Sequence, residues 1–386
     1  MRHYIIINIV FNLKYKYDMI LMIYINDRIH GNIEINNIAQ SIIDTPEFQR
    51  LRRISQTGVL QWIFPSANHS RFEHSIGVYH LAKEFAKNLL EKYELKNKEK
   101  LIEIISIAGL IHDLGHLAFS HLFELFLKNN NITFHHEELS QKLFKHICKK
   151  YKIKLSDIDI QNIIDIIHPP EDWEKGFIWN DKNIGIWVYQ IVANPLNGID
   201  VDKFDYLLRD SISCGINTNF HYDRIIKMSK IIDNEIVYPE KLKYNIFEMF
   251  LTRYKMHQQI YNHKTVKALE ILIMNIFKEL NILDLTYKIH TLDILQITDN
   301  IIYKYDNKNI KNILYKIDSR NFPKITTETS AKYKIPIKIG MTSDDFHPLL
   351  KIKYFNKDNK IFNLKLQDYG ILATNSFSEN ITLFYE

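Results

Sequence analysis

The stretch LIEIISIAGLIHDLGHLAFSHLFELFL, residues 101–127, carries the strongest structural signal in the chain. Its apolar residues recur every three to four positions, which is typical of a helix that packs into a protein core. Three histidines and one aspartate lie among them: His112, Asp113, His116 and His121. Because burying such groups costs free energy unless they are paired, the stretch predicts a core helix that carries a polar site.

Segments on both sides predict further helices around this one. Residues 71–93, RFEHSIGVYHLAKEFAKNLLEKY, and residues 135–151, HHEELSQKLFKHICKKY, have the same helical spacing. Residues 183–211 also indicate helix, and residues 244–280 predict a helix long enough to form a spine. The body of the protein is therefore predicted to be mainly α.

The segment ahead of these helices predicts a hairpin. Residues 23–36 alternate apolar and polar side chains around a central His-Gly pair, which is typical of two short strands joined by a turn. Downstream, Asp44 is a capping residue ahead of Pro46, and together they predict the start of a helix through residues 46–54.

The C-terminal part has a different pattern. From residue 320 onward, short runs of alternating residues predict strands at residues 332–340, 349–356, 360–366 and 380–386. We predict an N-terminal extension over residues 1–22, a helical core over residues 23–290 that includes the hairpin, and a small α+β lobe over residues 291–386.

The composition is that of a globular protein with enough apolar mass to bury a core, 46% hydrophobic and 25% charged residues. A net charge of +5 suits anionic ligands such as nucleotides. Cys148 and Cys214 lie far apart, so neither a disulfide framework nor a thiolate zinc site is indicated. The apolar run at residues 5–11 is short of the roughly 20 residues that cross a bilayer. We expect a cytoplasmic or nuclear protein, neither secreted nor membrane-bound.

Four residues could together bind a divalent metal. A metal that activates water needs a few nitrogen and oxygen ligands and open coordination positions. His74 on one predicted helix, the pair His112 and Asp113 on the next, and Asp202 near the start of a later helix offer such ligands. For an isolated His-Asp pair, a buried structural pair or a surface pair is the commoner interpretation, and the apolar surroundings favour the metal here.

Four motifs occur in the order in which a known family has them: RFEHSIGV at 71–78, IHDLGHLAFSH at 111–121, NGIDVDKFDYLLRD at 197–210 and YNHK at 261–264. Over residues 23–325 the chain resembles the HD superfamily and, more narrowly, its dNTP triphosphohydrolases. The resemblance implies an HD-type helical core that hydrolyses dNTPs to deoxynucleoside and inorganic triphosphate. It also implies iron, manganese or zinc at His74, His112, Asp113 and Asp202, with magnesium or manganese accompanying the nucleotide. Such a His2Asp2 set suits several metals.

The resemblance further implies a catalytic group beside the metal. His116 and His136 would support water attack and leaving-group protonation, and His121 would bind phosphate. Histidine suits these roles because it titrates near neutrality, although each of the three taken alone could be structural. The family has an aspartate one turn after His121 where this chain has Glu124. A difference in the proton relay is therefore expected.

Binding a triphosphate requires cations, and Arg71, Lys203 and Arg253 are the candidates. Arg71 precedes His74 by three residues, so both project from one helix face. The resemblance assigns the deoxyribose pocket and its surroundings to five residues: Gln56, Tyr206, Asp210, His257 and Tyr261. Tyr206 and Asp210 follow Asp202 by four and eight residues and so form one helical stripe.

The resemblance also implies a homo-oligomer, a dimer or a tetramer, that GTP or a dNTP activates from sites between subunits. The residues at matching positions are Asn26, Asp44, Gln49, Arg52, Arg224, His263, Lys264, Arg320 and Lys324. Asp44 would accept hydrogen bonds from guanine and Arg52 would hold its phosphate; the alternative is a capping aspartate and a surface arginine. Ile23 stands where the family has a lysine, and we expect no sterile-alpha-motif domain ahead of the core. Regulation simpler than that of the family is therefore expected.

Two other functions compete with dNTP hydrolysis. The first is another HD-type activity, that of a nucleotidase or a phosphodiesterase, against which Tyr206, Asp210 and Arg253 argue. The second is a nucleotide-binding or nucleic-acid-binding protein. The basic residues form no extended run and the aromatic residues no stacking pattern, so nucleic acid is not a required partner.

Overall fold

A computed structural model describes residues 23–91, 93–326, 333–342, 347–370, 373 and 376–385. The predicted extension over residues 1–22 lies outside these described residues. The helices are α1 (Asn37–Ile43), α2 (Pro46–Gln49), α3 (Arg71–Glu91), α4 (Lys98–Ile111), α5 (His121–Asn129), α6 (His136–Tyr151), α7 (Asp157–Ile167), α8 (Tyr189–Val192), α9 (Val201–Cys214), α10 (Tyr222–Met228), α11 (Lys243–Met256), α12 (Lys264–Lys278), α13 (Ile282–His290) and α14 (Lys308–Asp318). The strands are β1 (Ile23–Asp27), β2 (Gly31–Ile35), β3 (Ile178–Trp179), β4 (Lys182–Asn183), β5 (Lys230–Ile232), β6 (Glu235–Pro239), β7 (Ile325–Thr326), β8 (Tyr333–Gly340), β9 (Lys353–Phe355), β10 (Ile361–Asn363) and β11 (Ser378–Tyr385).

The core is helical, which confirms the predicted mainly α class. Helix α4 lies at its centre, and from Leu101 to Ile111 every residue except Glu103 is buried. Such all-round burial explains why α4 is apolar on nearly every face. Helix α3 packs along α4, and α9 packs against α3. The site residues on α3, the end of α4 and α9 are thereby brought close to one another. Among the helices of the described ranges, none is both long and apolar enough to cross a bilayer.

The single helix predicted over residues 101–127 is wrong. Helix α4 ends at Ile111, α5 begins at His121, and residues 112–120 form turns and loop between them. Phe119 and Ser120 have φ values of 56° and 55°, in the left-handed region that a right-handed helix excludes. His112 is the C-cap of α4 and Asp113 follows it, so His116 does not share a helix face with His112.

Side chains from elsewhere satisfy the backbone of this turn, residues 112–120. The buried guanidinium of Arg50 donates to the carbonyls of Leu114 and His116, at 2.6 and 2.7 Å. Asp299 accepts from the N–H of Phe119 at 2.6 Å. These partners replace the helical hydrogen bonds that the turn lacks.

Three other helix predictions need correction. The spine predicted over 244–280 is two helices, α11 and α12, separated by a π-helical turn at His257–Tyr261 and a break at 262–263. The helix predicted over 46–54 is α2 followed by a 3-10 turn, Arg50–Arg53. Within 183–211, only α8 and most of α9 are α-helical. The N-cap of α2 is Thr45, whose Oγ1 accepts from the N–H of Phe48, whereas Asp44 is the C-cap of α1.

Each predicted strand region contains a strand, but the one predicted over 349–356 is a strand only at Lys353–Phe355, after a 3-10 turn at Pro348–Lys351, and the one over 360–366 only at Ile361–Asn363. Strands β1 and β2 form an antiparallel hairpin in which Ile25 faces Ile33. Strands β7, β11 and β8 form one C-terminal sheet, and a second has the order β10-β9-β6-β5. In the second sheet β9 pairs parallel with β6, Tyr354 opposite Tyr238. Strands on both sides of the predicted boundary at residue 291 therefore share one sheet.

Candidate metal and nucleotide site

The four predicted metal ligands converge at one point. His74 comes from the first turn of α3, Asp202 from the first turn of α9, and His112 with Asp113 from the end of α4. His74 Nε2 lies 3.0 Å from Asp202 Oδ1 and 3.2 Å from His112 Nε2. Asp113 oxygens lie 3.4 Å from each of the two Nε2 atoms. Ligands placed about 2.1 Å from a shared ion have mutual separations of this size, so His74, His112 and Asp202 could hold one metal ion, with Asp113 beside them.

Hydrogen bonds behind the two histidines orient them for this purpose. His112 Nδ1–H donates to the carbonyl of Gly109 at 2.9 Å, and His74 Nδ1–H donates to Asp205 Oδ2 at 2.8 Å. In each ring Nδ1 therefore carries a proton, and Nε2 is the nitrogen that would bind a metal, which at His74 would displace the proton shared with Asp202. His74, His112 and Asp202 each offer one potential ligand atom, and these three atoms lie within 4.8 Å of one another.

The electrostatics of this point favour a cation. Burial alone would lower the pKa of His74, but hydrogen bonds to Asp202 and Asp205 outweigh it and raise that pKa to about 10. Burial would raise the pKa of Asp202, but His112 and His74 hold it well below its usual range. Two ionised carboxylates, those of Asp113 and Asp202, thus face two imidazole nitrogens, an arrangement that a divalent ion would neutralise.

The four predicted catalytic residues, His116, His121, Glu124 and His136, form a second cluster. His136 Nδ1–H donates to Glu124 Oε1 at 2.7 Å, and His121 Nδ1–H donates to Glu124 Oε2 at 3.0 Å. The rings of His116 and His136 stack with centroids 3.8 Å apart. His116 Nε2 lies 3.4 Å from Asp113 Oδ1. The cluster therefore adjoins the metal ligands directly.

The two stacked histidines have opposite protonation preferences. Burial lowers the pKa of His136, but the hydrogen bond and charge of Glu124 outweigh it and raise that pKa. Burial, Arg71 and His136 together hold the pKa of His116 well below its usual range. Both nitrogens of His116 are buried without a hydrogen-bond partner. One ring can therefore carry a proton while its neighbour stays neutral.

The donor atoms of the second cluster, His116, His121, Glu124 and His136, also lie close enough to hold an ion. The rings of His116 and His136 are stacked, however, and the nitrogen lone pairs lie in the two nearly parallel ring planes. One ion therefore cannot lie in line with a lone pair of each ring. We therefore interpret the cluster as a proton relay. Glu124 reaches both His121 and His136, so these three side chains remain connected despite the departure from the family aspartate.

Two predicted phosphate-binding residues adjoin the metal ligands. Arg71 is buried and donates from Nη1 to Asp113 Oδ2 at 2.5 Å and from Nε to Ser120 Oγ at 2.9 Å. Lys203 donates to Asp200 Oδ2 at 2.9 Å, and its side chain is 21% exposed. Asp200 is also the N-cap of α9. Both cations are thus positioned by carboxylates, and Lys203, next to Asp202 in the chain, keeps part of its side chain exposed.

The predicted sugar-pocket residues meet at Asp210. Tyr261 donates to Asp210 Oδ2 at 2.6 Å, and His69 Nε2–H donates to Asp210 Oδ1 at 2.7 Å. Gln56 is joined to this group because its backbone N–H donates to the carbonyl of His69 at 3.1 Å. Gln56 Oε1 and His69 Nδ1 are buried without a partner. A bound ligand could supply hydrogen bonds that these atoms lack.

The remaining substrate candidates lie on or near α9 and α11. The ring of Tyr206 lies 6.4 Å from that of His74. Arg253 donates to the carbonyl of Gly340 in β8, so it also anchors the C-terminal sheet. The His257 ring lies 5.1 Å from that of Tyr261, and burial lowers the pKa of His257 to about 3. His257 is therefore neutral at physiological pH.

The predicted effector residues lie near the surface and come from several separate stretches of the chain. Arg52 lies over the Phe72 ring at 3.5 Å and donates to Gln49 Oε1 at 2.8 Å. Arg320 donates to the carbonyl of Trp62 at 2.5 Å. Eight of the nine are exposed: Asn26, Asp44, Arg52, Arg224, His263, Lys264, Arg320 and Lys324.

Several site residues were missed in the sequence. Asp205 follows Asp202 by three residues in DVDKFD, and that spacing could have identified it as the partner of a ligand. His69 lies two residues before the motif RFEHSIGV. His30 and Asp299 carry no local signal, because each reaches the site only through packing between distant segments.

Comparison with known proteins adds to this geometry. Residues 71–210 match the HD domain family. The chain is 41% identical over 262 residues to the deoxynucleoside triphosphate triphosphohydrolase SAMHD1 homolog of Dictyostelium discoideum, a match that covers 66% of this chain and 49% of that protein. It is 40% identical over 273 residues to the deoxynucleoside triphosphate triphosphohydrolase SAMHD1 of Homo sapiens, covering 66% and 44%.

A viral protein is similar as well. An HD domain-containing protein of Acanthamoeba polyphaga mimivirus is 41% identical over 296 residues, covering 72% of this chain and 62% of that protein. The chain spans about half the length of the triphosphohydrolases that it matches.

Proposed function

We propose that this chain, whose residues 71–210 match the HD domain family, hydrolyses dNTPs to deoxynucleoside and inorganic triphosphate. The observation that carries the proposal is the meeting of His74, His112, Asp113 and Asp202 directly beside the histidine relay. A metal site, phosphate-binding cations and a proton relay in contact with one another are the parts that phosphate-ester hydrolysis needs.

The ion proposed for His74, His112, Asp113 and Asp202 is iron, manganese or zinc, which would polarise phosphate oxygens and acidify bound water. Magnesium or manganese would accompany the nucleotide. Arg71, Lys203 and Arg253 would neutralise the triphosphate. Arg71 is held rigidly by Asp113 and Ser120, so little side-chain entropy would be lost when phosphate binds.

The histidine relay would move the protons of the reaction. Water attacks the α-phosphorus, and the bond from that phosphorus to the 5′-oxygen of the deoxynucleoside breaks. His136, whose pKa is raised by Glu124, would protonate the leaving 5′-oxygen, and His116, whose pKa is lowered, would accept the proton of the attacking water. Glu124 would hold His136 in place, and His121 would bind phosphate.

Deoxyribose would bind at the group formed by Gln56, His69, Asp210 and Tyr261. The carboxylate of Asp210 can accept from a sugar hydroxyl in addition to Tyr261 and His69. Tyr206 and His257 would contact the nucleotide from the adjacent helices. The 2′-hydroxyl of a ribonucleotide would lack both space and hydrogen-bond partners in such a pocket.

Regulation and location are part of the same proposal. We propose a homo-oligomer, a dimer or a tetramer, that is activated by GTP or a dNTP bound at the exposed effector residues. A cytoplasmic or nuclear location would match the intracellular dNTP pool, and lowering that pool would be the biological effect.

Product identification tests the proposal. The purified chain is incubated with each dNTP and Mg²⁺ or Mn²⁺, with and without GTP, and the phosphate products are separated. We expect inorganic triphosphate and deoxynucleoside. Release of only pyrophosphate or orthophosphate, or of a nucleotide product, would instead support another HD-type phosphohydrolase.

Variants link the activity to the site. The double variant H112A/D113A is expected to lose turnover, because two of the four metal ligands are removed. H136A should lose about two to four orders of magnitude in kcat. H135A is the matched control, since its side chain is exposed, and it should retain activity. Turnover in H112A/D113A would show that the metal site is wrong.

A further inference from the structure

A buried network of charged groups connects the N-terminal hairpin to metal ligand His74. Asp205 lies at its centre, and each of its oxygens accepts two hydrogen bonds. Oδ2 accepts from His74 Nδ1 at 2.8 Å and Arg209 Nε at 2.9 Å. Oδ1 accepts from His30 Nε2 at 2.6 Å and Arg209 Nη2 at 2.8 Å. These four hydrogen bonds fix the orientation of the Asp205 carboxylate.

The hairpin supplies two members of this network. His30 lies in the turn between β1 and β2, with its side chain 0% exposed. Its Nε2–H donates to Asp205, and its Nδ1 accepts from the Tyr222 hydroxyl at 3.1 Å. Asp27 Oδ2 accepts from Arg209 Nη1 at 2.9 Å, while Asp27 Oδ1 accepts from the N–H groups of Ile29 and His30 at 2.8 and 2.9 Å. One carboxylate thus shapes the hairpin turn and pairs with Arg209.

Helix α3 leaves space for this network. A Cβ atom on Gly77, one turn beyond His74, would lie 1.9 Å from Asp205 Oδ1 and 2.6 Å from Arg209 Nη2. Burying four ionisable side chains together costs solvation free energy that apolar packing would not. A network of this kind is expected where it orients a functional group.

We propose that His30 is a positioning residue for the metal site: through Asp205 it holds the imidazole of His74 in the orientation that binds the metal. The inference rests on the metal site of the proposed function and extends it to the hairpin. A two-stranded hairpin is marginally stable alone, so its position depends on contacts such as these. Asn26, a predicted effector contact, is adjacent to Asp27, and a ligand there would act on the metal site through the hairpin.

Manganese affinity tests the inference without any nucleotide. The metal-stripped full chain is titrated with Mn²⁺ by calorimetry, as wild type, H30Q and H30N. A glutamine amide can reach the position of Nε2 and keep the bond to Asp205, whereas an asparagine amide reaches only the position of Nδ1 and the Tyr222 hydroxyl. We expect H30N to bind Mn²⁺ about tenfold more weakly and H30Q to stay within about threefold of wild type.

The control variant is N32A, in the same hairpin, whose exposed side chain contacts Asn26. It should bind Mn²⁺ like wild type, and circular dichroism and thermal melting of the metal-free proteins should show that all variants are folded. Equal affinity of H30N and H30Q, or an equal loss in N32A, would overturn the inference, because Arg209 alone would then suffice to hold Asp205. Failure of the proposed function would appear in the product assay and leave the Mn²⁺ result unaffected.

Discussion

Glu124 sets the proton affinity of His136, since it accepts the Nδ1–H of that ring at 2.7 Å. The substitution E124Q keeps a hydrogen-bond acceptor and removes the negative charge. The raised pKa of His136 should therefore fall, and the protonated form should be lost at a lower pH. We expect the alkaline limb of the kcat/KM pH profile to move to lower pH, with kcat reduced about 10²-fold or more.

E137Q is the matched control for this prediction. Glu137 Oε2 lies 3.4 Å from the same nitrogen, but its side chain is 42% exposed and solvent screens its charge. Its pH profile should stay close to wild type. An unchanged alkaline limb in E124Q would mean that His136 is not the acid.

Tyr261 should act on substrate binding and not on the metal. Y261F removes the hydroxyl that donates to Asp210 at 2.6 Å, a hydrogen bond worth about 1 kcal/mol. We expect KM for the preferred dNTP to rise about fivefold, with kcat and Mn²⁺ affinity nearly unchanged. Y254F is the control, because Tyr254 donates to Glu379 at the surface. A kcat loss in Y261F with unchanged KM would contradict the pocket assignment.

The metal ligands and relay histidines could be predicted because their side chains are chemically conspicuous in an apolar sequence. Asp205 could have been found from its spacing to Asp202, whereas His30 could not, since its importance depends on the residues that it contacts. The role of His30 depends on a hairpin packing against α9, 175 residues away in sequence, and no local spacing encodes such a contact.

At the level of elements, the turn over residues 112–120 shows why the helix prediction failed. Leu114, Leu117, Ala118 and Phe119 are all buried, so their apolar character is the same as in a core helix. The partners that stabilise the turn, among them Arg50 and Asp299, come from distant parts of the sequence. Periodicity therefore identified the buried segment but not its conformation.

Gly115 allows this turn to approach α6. A Cβ atom there would lie 2.1 Å from the carbonyl oxygen of His136 and 2.6 Å from the backbone nitrogen of Ser140. Because both are backbone atoms of α6, G115A must displace the start of that helix and with it His136. We expect a loss of about 1–3 kcal/mol in the free energy of unfolding, measured by denaturant titration, and a larger proportional loss of kcat.

G215A is the control for strain without displacement. Gly215 has a φ of 72° and open space around its Cα, so alanine there costs about 1 kcal/mol of backbone strain. It should lower stability and leave kcat intact. If G115A lost stability to the same extent and kept full kcat, the close approach of the turn to α6 would not position His136.

At the scale of the whole molecule, distant segments close around the helical core. Strand β9 pairs with β6 across more than a hundred residues, and Arg253 of α11 donates to Gly340 of β8. The strands themselves were predictable from alternation, whereas their partners were not, because parallel pairing between separated segments leaves no local pattern. The predicted effector residues lie on several of these segments, from Asn26 to Lys324.

Because these residues come from several segments, the proposed nucleotide activation would be a property of the folded and assembled molecule. Arg52 is the residue that tests this proposal most directly. Its guanidinium is preorganised over Phe72 and beside Gln49, exposed, and thus available to a phosphate. We expect GTP to raise the rate of dNTP hydrolysis by wild type and to shift its mass in light scattering towards a dimer or tetramer. R52A should need about tenfold more GTP for half-maximal activation, since a bidentate charged contact is worth about 1.5–3 kcal/mol.

The neighbouring arginine separates this effect from a simple loss of charge. Arg53 lies in the same 3-10 turn, but its guanidinium donates to the carbonyl of Leu295 at 3.3 Å. R53A therefore removes the same charge without removing the group stacked on Phe72, and its GTP requirement should stay near that of wild type. If R53A and R52A shifted equally, the response would reflect the net positive charge of this surface. If wild type ignored GTP while hydrolysing dNTPs, the enzyme would be constitutive, as the isoleucine at position 23 already suggests for one effector contact.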